Sequence, residues 1–330
     1  MPWLPVARLT DRWRKRWRGR WRCCGRPLVK ERRLSPERVS GLLNIHKPVG
    51  PTSHDVVARI RRLTRIRQVG HAGTLDPLAE GVLIICLGQA TRLSEYAMRS
   101  PKQYLARVRL GVSTDTYDRE GRIVEERPLG DLSAHCIAEA LEQFQGEILQ
   151  IPPMYSAIQQ EGQRLYDLAR QGREVPRQPR RVTISAIRLV AWMPPEVTLE
   201  VTCSPGTYIR SLAHDLGVAL GVGGHLAGLV RLASGSFHLA EAIPLAAFEE
   251  AVDAGIWQQY LLPPERALAG LPIVQLTADE ARRIQHGGAI PAPPEAAGEA
   301  GARGPAGELL AILRAMEGRW QPVKVFPPGG

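Results

Sequence analysis

One short stretch, residues 70–81 (GHAGTLDPLAEG), constrains the fold of this chain more than any other. The preceding residues 66–69 are typical of a short strand, and residues 82–87 form an apolar run typical of a buried strand. Three glycines in the stretch allow positive φ or a close approach to a ligand. Asp76 directly precedes Pro77, which biases its backbone towards extended geometry. A tight loop between two buried strands can hold one carboxylate in a fixed direction, as a catalytic acid, base or nucleophile requires.

The same residues also fit a purely structural interpretation. An Asp-Pro pair is common at a helix start, with Asp76 as the N-cap and Pro77 at the first helical position. A single histidine such as His71 is more often a hydrogen-bonded loop residue than a catalyst. On these residues alone the structural interpretation is favoured, and the rest of the sequence has to decide.

The length and composition exclude several classes of protein. The chain has 330 residues, which suggests two or three domains, and its hydrophobic content of 44% is enough for a buried core. No apolar run approaches the ~20 residues needed to span a bilayer, and the start of the chain lacks the apolar core of a signal peptide. The five cysteines form no C-x-x-C pair, so neither a disulfide framework nor a zinc site is indicated. We therefore expect a cytoplasmic protein that has no contact with membranes.

The positive charge is concentrated at the start of the chain. Residues 1–38 hold 13 Lys and Arg against 3 Asp and Glu, which accounts for the whole net charge of +10. Trp13, Trp17 and Trp21 would form one aromatic stripe on a helix, suited to RNA or an anionic membrane. Alternatively, the arm is disordered, or it is translated upstream sequence absent from the natural protein. We therefore treat residues 1–39 as a separate arm and exclude them from the fold.

The body of the chain begins with a strand at residues 41–46 and a proline-rich turn at residues 47–51. Thr52 or Ser53 is expected to cap a helix with Val56, Val57, Ile60 and Leu63 on its apolar face. The other face carries Arg59, Arg61, Arg62 and Arg65 without a nearby acid in sequence. A charged helical face is usually only solvated, but these arginines are better candidates than average for RNA phosphates.

Strands and helices then mix without regular βαβ alternation. Residues 103–110 alternate as a strand with Tyr104 on the apolar face. Two long β-rich runs lie at 182–192 and 196–203, and helices are expected at 90–98, 132–144, 164–170 and 206–220. The segments 147–151, 225–237 and 244–252 complete this unit. The pattern predicts an α+β fold with a mixed, largely antiparallel sheet. No dinucleotide, P-loop or H-E-x-x-H motif occurs, so we expect no cofactor and no metal.

The last part of the chain predicts a small β-rich domain of roughly 60 residues. Its expected elements are a short apolar run at 271–274, a helix at 277–285 and strands at 309–314 and 320–326. Between them, residues 291–307 are rich in Pro, Ala and Gly, which is typical of a flexible surface loop.

The assembled motifs resemble those of the bacterial TruB-type tRNA pseudouridine-55 synthases. The resemblance covers residues 41–250 and rests on a collinear set of segments, at 44–53, 70–77, 111–118, 152–157, 206–210 and 225–231. The last module is similar to a PUA domain at 276–284 and 322–326, with 291–307 as an apparent insertion. One departure is Gln159, which stands where such sequences often carry Lys.

Composition sets apart a basic arm (1–39), for which the family pattern has no identified counterpart. The resemblance implies a pseudouridine synthase catalytic domain (40–252) and a PUA-like RNA-binding domain (271–330). It implies that the substrate is the T-arm stem-loop of tRNA, whose uridine 55 becomes pseudouridine. It implies no cofactor and no obligate protein partner, so we expect a monomer.

The resemblance also implies roles for single residues. Asp76 would be the catalytic carboxylate, paired with Arg210. Tyr104 would stack on the flipped base, although from the strand pattern alone it is a core residue. Tyr208 would lie near C5 of the base, or simply pack at a helix start.

Three further positions complete the expected site. Leu229 would line the base pocket, although ordinary core is an equally good interpretation. His71 would contact the flipped nucleotide or its neighbour. Lys47 and Pro48 would support the central loop and take no part in the chemistry.

Two other functions fit parts of the sequence. A non-enzymatic RNA-binding or RNA-folding protein would use the C-terminal module, but it would not need Asp76, Tyr208 and Arg210 together. A hydrolase of nucleosides or sugars with one carboxylate would act on free uridine, which an RNA-dependent enzyme should ignore.

Overall fold

The structure is a computed structural model that describes residues 39–155, 159–160, 163–164 and 175–327. The basic arm at 1–38, most of the helix expected at 164–170 and the side chain of Gln159 lie outside this description. The α-helices are α1 Ser53–Thr64, α2 Ser94–Met98, α3 Ala134–Glu142, α4 Ile209–Ala219, α5 Leu245–Asp253 and α6 Ala278–Gln285. Short 3-10 helices lie at Gly88–Leu93, Leu239–Glu241, Trp257–Tyr260 and Pro264–Leu268. None of the helices in the described ranges is long and apolar enough to cross a membrane.

The first strands run from β1 to β10. They are β1 Gly41–Lys47, β2 Val69–Ala72, β3 Ala79–Leu87, β4 Lys102–Leu110, β5 Val112–Thr114, β6 Ile123–Glu126, β7 Gly146–Gln150, β8 Gln159–Gln160, β9 Gln163–Arg164 and β10 Arg180–Met193. The remaining strands are β11 Glu196–Cys203, β12 Gly224–Ser234, β13 Phe237–His238, β14 Ile243–Pro244, β15 Ile273–Gln275, β16 Ile290–Pro291, β17 Glu299–Arg303, β18 Leu309–Met316 and β19 Arg319–Val325.

A ten-stranded sheet forms the centre of the molecule. Its main order is β14-β1-β3-β12-β4-β11-β10-β7, with β2 added to β3 and β13 added to β12. Only the pairs β1–β14 and β3–β12 are parallel among the strands of this sheet. Helices α3 and α4 cover one part of the sheet, whereas α1 and α5 cover another. The predicted α+β class with a largely antiparallel sheet is confirmed.

Strand β4 shows why the alternating pattern was a reliable guide. Tyr104, Ala106, Val108 and Leu110 are buried, and the arginines between them are exposed. Because successive side chains of a strand point to opposite faces, this strand puts one apolar row into the core. The row places Tyr104 in the same core cluster as residues of the central loop.

Helix α1 begins as the capping residues predict. The Thr52 hydroxyl accepts the Asp55 N–H at 3.0 Å, and Asp55 accepts the Thr52 N–H at 2.8 Å. The expectation of four arginines without a nearby acid is wrong, because Arg59 pairs with Glu249 of α5. Arg61 donates to the Val69 carbonyl at 3.0 Å. These contacts are long-range in sequence or made to backbone, so the spacing of charges along α1 could not show them.

The central stretch is more regular than its composition predicts. Strand β2 begins at Val69, where the expected strand ended, and β3 begins at Ala79. The loop is therefore only residues 73–78. No helix follows Asp76, since its carbonyl accepts the Ala79 N–H at 3.0 Å and the chain enters β3 at once. The interpretation of Asp76 as a helix cap is wrong.

A five-stranded sheet, with the order β15-β17-β18-β19-β16, forms the C-terminal part. The prediction of a flexible loop at 291–307 is wrong, because β17 occupies residues 299–303 inside this sheet. Ala300 and Ala302 are fully buried. A Cβ on Gly301 would lie 2.7 Å from Ile273 Cδ1. Small residues permit this close packing, and their composition imitated that of a linker.

The small sheet shares a hydrophobic cluster with the large one. Leu309, Ile312 and Phe326 pack with Leu42 and Ile84 of the central sheet. At the rim of this contact, Arg92 donates to the Val325 carbonyl at 2.6 Å. The C-terminal sheet is thus held against β1 and β3, and β3 is the strand into which the central loop leads.

Candidate active site

The central loop is anchored by the beginning of α1. The Ser53 hydroxyl donates to the Leu75 carbonyl at 3.0 Å and accepts the Leu75 N–H at 2.8 Å. The Gly50 N–H donates to the Pro77 carbonyl at 2.9 Å. Leu75 and Leu78 are buried in the core on either side of Asp76. These bonds fix the loop backbone, so the direction of the Asp76 side chain is set before any ligand binds.

The Asp76 carboxylate forms an ion pair with Arg210. Arg210 Nε lies 3.0 Å from Asp76 Oδ2, in a geometry of charge contact and not of an aligned hydrogen bond. The Arg210 side chain is 7% exposed, whereas that of Asp76 is 37% exposed. The buried guanidinium thus places a positive charge beside a carboxylate that remains accessible to a substrate.

Two further acceptors hold Arg210 in place. Its Nη2 donates to the Tyr155 carbonyl at 2.9 Å, and its Nη1 lies 3.4 Å from Oδ2 of buried Asp118. Asp118 also accepts the Glu120 N–H at 3.0 Å and the Thr116 hydroxyl at 2.7 Å. Arg210 therefore bridges two carboxylates from loops that are distant in sequence.

The start of α4 sets the position of Arg210. Tyr208 is the N-cap residue of the helix and is half-buried. Its N–H donates to Gln150 Oε1 at 2.8 Å, and Gln150 Nε2 donates back to its carbonyl at 3.0 Å. The buried Gln150 amide thus supplies the cap that the tyrosine side chain does not provide. This puts Tyr208 and Arg210 on the first turn, beside the Asp76 loop.

Tyr117 holds the loop that carries Asp118. It adopts positive φ, at 63°, which is unusual for a bulky residue. Its ring stacks on His214 of α4, with ring centroids 4.0 Å apart. His214 follows Arg210 by one helical turn, so this contact fastens the Asp118 loop to the helix that carries Arg210.

Tyr104 and Leu229 lie on adjacent strands next to the loop. Leu229 on β12 is the register partner of Ala106 on β4 and of Ala79, where the loop enters β3. Tyr104 is 9% exposed and is the partner of Arg231 in the same ladder. Burial above all raises the pKa of the Tyr104 hydroxyl, with the Asp76 charge adding to the effect. Together with Leu75 and Leu78 these side chains form an apolar floor under the loop.

His71 lies on β2, one strand residue before the loop begins. Its ring meets that of His54 edge-on, with centroids 6.3 Å apart. Burial, helped by the charges of His54 and Arg231, lowers the pKa of His71. Its Nδ1 is buried and has no hydrogen-bond partner within the described ranges. A neutral imidazole with one unused nitrogen is thus present at the edge of the site.

Lys47 is fully buried beneath the loop. Its Nζ donates to the carbonyls of Pro48 and Pro51 at 2.9 and 2.8 Å. Burial lowers its pKa to about 8, and the Asp76 charge acts in the opposite direction. Pro48 itself is exposed. The pair braces the turn whose Gly50 N–H holds the loop.

The structure thus gathers the expected residues around one loop. Asp76, Arg210, Tyr104, Leu229, His71 and Lys47 lie on or directly beside it, and Tyr208 lies two residues from Arg210. Sequence reasoning assigned no role in the site to Asp118, Arg231 or Ser53, although Ser53 was a candidate cap of α1. All three residues close matched motifs, at 111–118, 225–231 and 44–53, and that was a usable signal. No group of three His, Cys, Asp or Glu side chains in the described part of the chain could hold a metal ion.

Models of known protein families match almost the whole of the chain from residue 61 onward. The model of the TruB family pseudouridylate synthase N-terminal domain matches residues 61–209. The tRNA pseudouridylate synthase B C-terminal domain model matches residues 210–269. The model described as tRNA pseudouridine synthase II, C terminal, matches residues 271–327. The class of protein is therefore a pseudouridylate synthase.

Relatives cover the chain at high identity. The tRNA pseudouridine synthase B of Dehalococcoides mccartyi strain CBDB1 is 45% identical over 293 residues, which is 87% of this chain and 97% of the relative. That of Synechocystis sp. is 49% identical over 250 residues, covering 75% of this chain and 84% of the relative. The chain belongs to the TruB family of pseudouridylate synthases.

Solved structures agree at the level of the fold. A structure of an H/ACA RNP bound to a substrate RNA containing 2'-deoxyuridine has a TM-score of 0.70 and 26% identity, covering 89% of this chain and 87% of that chain. A Cbf5-Nop10-Gar1 complex also has a TM-score of 0.70, with 28% identity over 88% of this chain and 85% of that chain.

Proposed function

We propose that this chain isomerises uridine 55 in the T loop of tRNA to pseudouridine, with Asp76 as the catalytic carboxylate. One observation carries the proposal: Asp76 is partly open to solvent on a rigid loop, while the Arg210 guanidinium beside it is buried. The relatives named tRNA pseudouridine synthase B support tRNA as the substrate class.

The reaction needs one anionic group close to the ribose. The N1–C1′ bond of the uridine breaks, the base turns, and a C5–C1′ bond forms. C5 then loses its proton and N1 gains one, so the product is an isomer and no electrons are exchanged. Positive charge develops at C1′, as in glycoside cleavage, and an ionised Asp76 can stabilise it or attack it. The positive charge of Arg210 beside Asp76 fixes the direction of the carboxylate.

The target base has to leave the loop of the RNA to reach Asp76. Tyr104 would stack on its face, and Leu229 would close the apolar side of its pocket. Tyr208, at the start of α4, would lie near C5 and assist the loss of its proton. His71, with one nitrogen unused, would contact the flipped nucleotide or its neighbour. Lys47 and Pro48 hold the loop from behind.

The remaining parts of the chain would hold the rest of the RNA. We assign residues 40–252 to the catalytic domain and 271–330 to a PUA-like RNA-binding domain, with residues 1–39 as a separate arm. The C-terminal sheet packs on β1 and β3, so it would present RNA at a fixed distance from the loop. The enzyme would act as a cytoplasmic monomer without a cofactor.

The test is tritium release from a T-arm stem-loop RNA labelled at C5 of uridine, with EDTA present. Release by the wild type and none by Asp76→Asn, with RNA affinity unchanged in the variant, is the expected result, because the lost interaction belongs to the transition state. Turnover by Asp76→Asn near the wild-type rate would remove Asp76 from the catalytic role. No release by the wild type would contradict the proposed substrate.

A further inference from the structure

We propose that Arg231 is a positioning residue that locks the Asp76 loop and Tyr104 into one arrangement. The proposal rests on the pseudouridine synthase function given above. Arg231 lies on β12, is 1% exposed, and is the largest fully buried side chain among the described residues. It contacts the two parts of the site whose relative position matters for the reaction. These are the loop that carries the Asp76 carboxylate, and Tyr104.

The guanidinium of Arg231 joins the two ends of the loop. Its Nη2 donates to the Gly73 carbonyl at 3.0 Å and its Nη1 to the Thr74 carbonyl at 3.3 Å, where the chain leaves β2. Its Nε donates to the Val82 carbonyl of β3 at 2.7 Å. Because the guanidinium is planar and presents its donors in fixed directions, one side chain can hold three carbonyls at once. A lysine could not reproduce this bridge.

The same side chain reaches Tyr104. The two residues are partners across the β4–β12 ladder. Burial raises the pKa of the Tyr104 hydroxyl and the charge of Arg231 opposes that larger effect, so the guanidinium lies near that hydroxyl. A shift of Arg231 would therefore move the stacking surface and the loop together. Asp76 lies two residues beyond Thr74, so the distance from the stacked base to the carboxylate depends on this one group.

Charge pairing does not explain why an arginine is buried here. Within the described ranges no carboxylate forms an ion pair with Arg231, and its guanidinium donates to three backbone carbonyls. Arg231 also lies close enough to buried Lys47 for the two positive charges to repel each other. A buried cation without a counter-ion costs stability that an apolar side chain would not. We attribute the presence of a buried arginine here to its contacts with the loop and with Tyr104.

The experiment compares Arg231→Met and Arg231→Lys with the wild type under single-turnover conditions, using the labelled T-arm RNA. The control is Arg188→Met, which removes an exposed arginine of β10 that pairs with Glu200 of β11 and, among the described residues, makes no hydrogen bond or ion pair with the loop. Rate, amplitude, RNA affinity and thermal unfolding are measured for each protein. Partial unfolding lowers the amplitude, whereas a displaced loop lowers the rate of the folded fraction.

We expect both Arg231 variants to lose about 10²-fold in single-turnover rate, the effect of a displacement of roughly 1 Å at a reacting group. Their RNA affinity should stay within about threefold of the wild type, and Arg188→Met should keep the wild-type rate. Arg231→Lys retains charge and volume, so it tests positioning even where Arg231→Met folds poorly. If both variants lose only amplitude, with a wild-type rate, Arg231 is a residue of fold stability and the proposal is overturned. Inactivity of the wild type on this RNA would instead count against the proposed function.

Discussion

Arg210 lies 3.0 Å from Asp76, but its Nε–H does not point along the line to the carboxylate oxygen. The guanidinium is held instead by the Tyr155 carbonyl and by Asp118. An arginine fixed by other groups can attract the Asp76 carboxylate without binding it in an aligned hydrogen bond. The carboxylate oxygens therefore remain available to a substrate atom.

Asp118 is the first position at which this relationship can be tested. Asp118→Asn keeps the shape of the side chain but removes the charge beside Arg210 Nη1. Since a hydrogen bond to a charged group contributes roughly 1.5–3 kcal/mol, turnover should fall about 10- to 100-fold. RNA affinity should not change. Single-turnover rates measure the effect, exposed Asp131→Asn is the control, and a wild-type rate in Asp118→Asn would contradict the bridging role of Arg210.

Two variants of Tyr104 can distinguish stacking of its ring on the base from contacts of its hydroxyl. Tyr104→Phe keeps the aromatic face and should retain most RNA affinity, whereas Tyr104→Ala should lose roughly 1–3 kcal/mol of base contact. Equilibrium binding of the T-arm RNA to both variants gives the comparison, with thermal unfolding measured alongside because Tyr104 is also buried. Equal losses of affinity in the two variants would argue against stacking.

The exposed arginines of α1 make a prediction about salt. The side chains of Arg62 and Arg65 are exposed and have no ion-pair partner in the described part of the chain. If both contact phosphates, Arg62→Gln with Arg65→Gln should reduce the slope of log affinity against log salt by roughly 1 to 2. Arg59→Gln, which removes a partner of Glu249, should leave the slope nearly unchanged. An unaltered slope in the double variant would exclude this face from the RNA surface.

Gly81 makes a prediction about the packing of β3 on β12. Gly81 and Gly50 have nearly the same φ, +110° and +112°, so an alanine at either position is strained by roughly 1–2 kcal/mol. A Cβ at Gly81 would lie 2.3 Å from the Arg231 carbonyl oxygen, whereas at Gly50 nothing lies within 4 Å. Gly81→Ala should therefore lower the Tm far more than Gly50→Ala. Similar Tm values for the two variants would show that β3 and β12 do not approach so closely.

Asp215 on α4 gives a prediction about pH. Burial raises its pKa from 3.8 to about 6, so the folded state binds this proton more tightly than the unfolded state. Its contribution to stability is then complete below about pH 4 and is lost as the pH rises through 6. Asp215→Asn should raise the Tm relative to wild type at pH 7.5 and change it little at pH 4. Asp131→Asn is the exposed control, and a difference independent of pH would contradict the raised pKa.

Local chemistry in the sequence was enough to predict much of the fold. Thr52 and Ser53, as candidate caps, predicted the start of α1, and the alternation around Tyr104 predicted the buried face of β4. The central loop was recognised because its glycines and Asp-Pro pair lie between apolar runs. Each of these signals depends on residues a few positions apart, and backbone geometry translates such spacings directly into structure.

Tertiary structure decided the rest, because the deciding contacts join residues that are far apart in the chain. Asp118 meets Arg210 across 92 positions, and Arg231 reaches Gly73 across 158. The stretch at 299–303, with small residues at its centre, forms a buried strand because its neighbours in space pack closely. Composition alone had suggested a flexible loop. The sequence determined which loop carries the carboxylate; the packing of β12, α1 and α4 around that loop decided which side chains hold it.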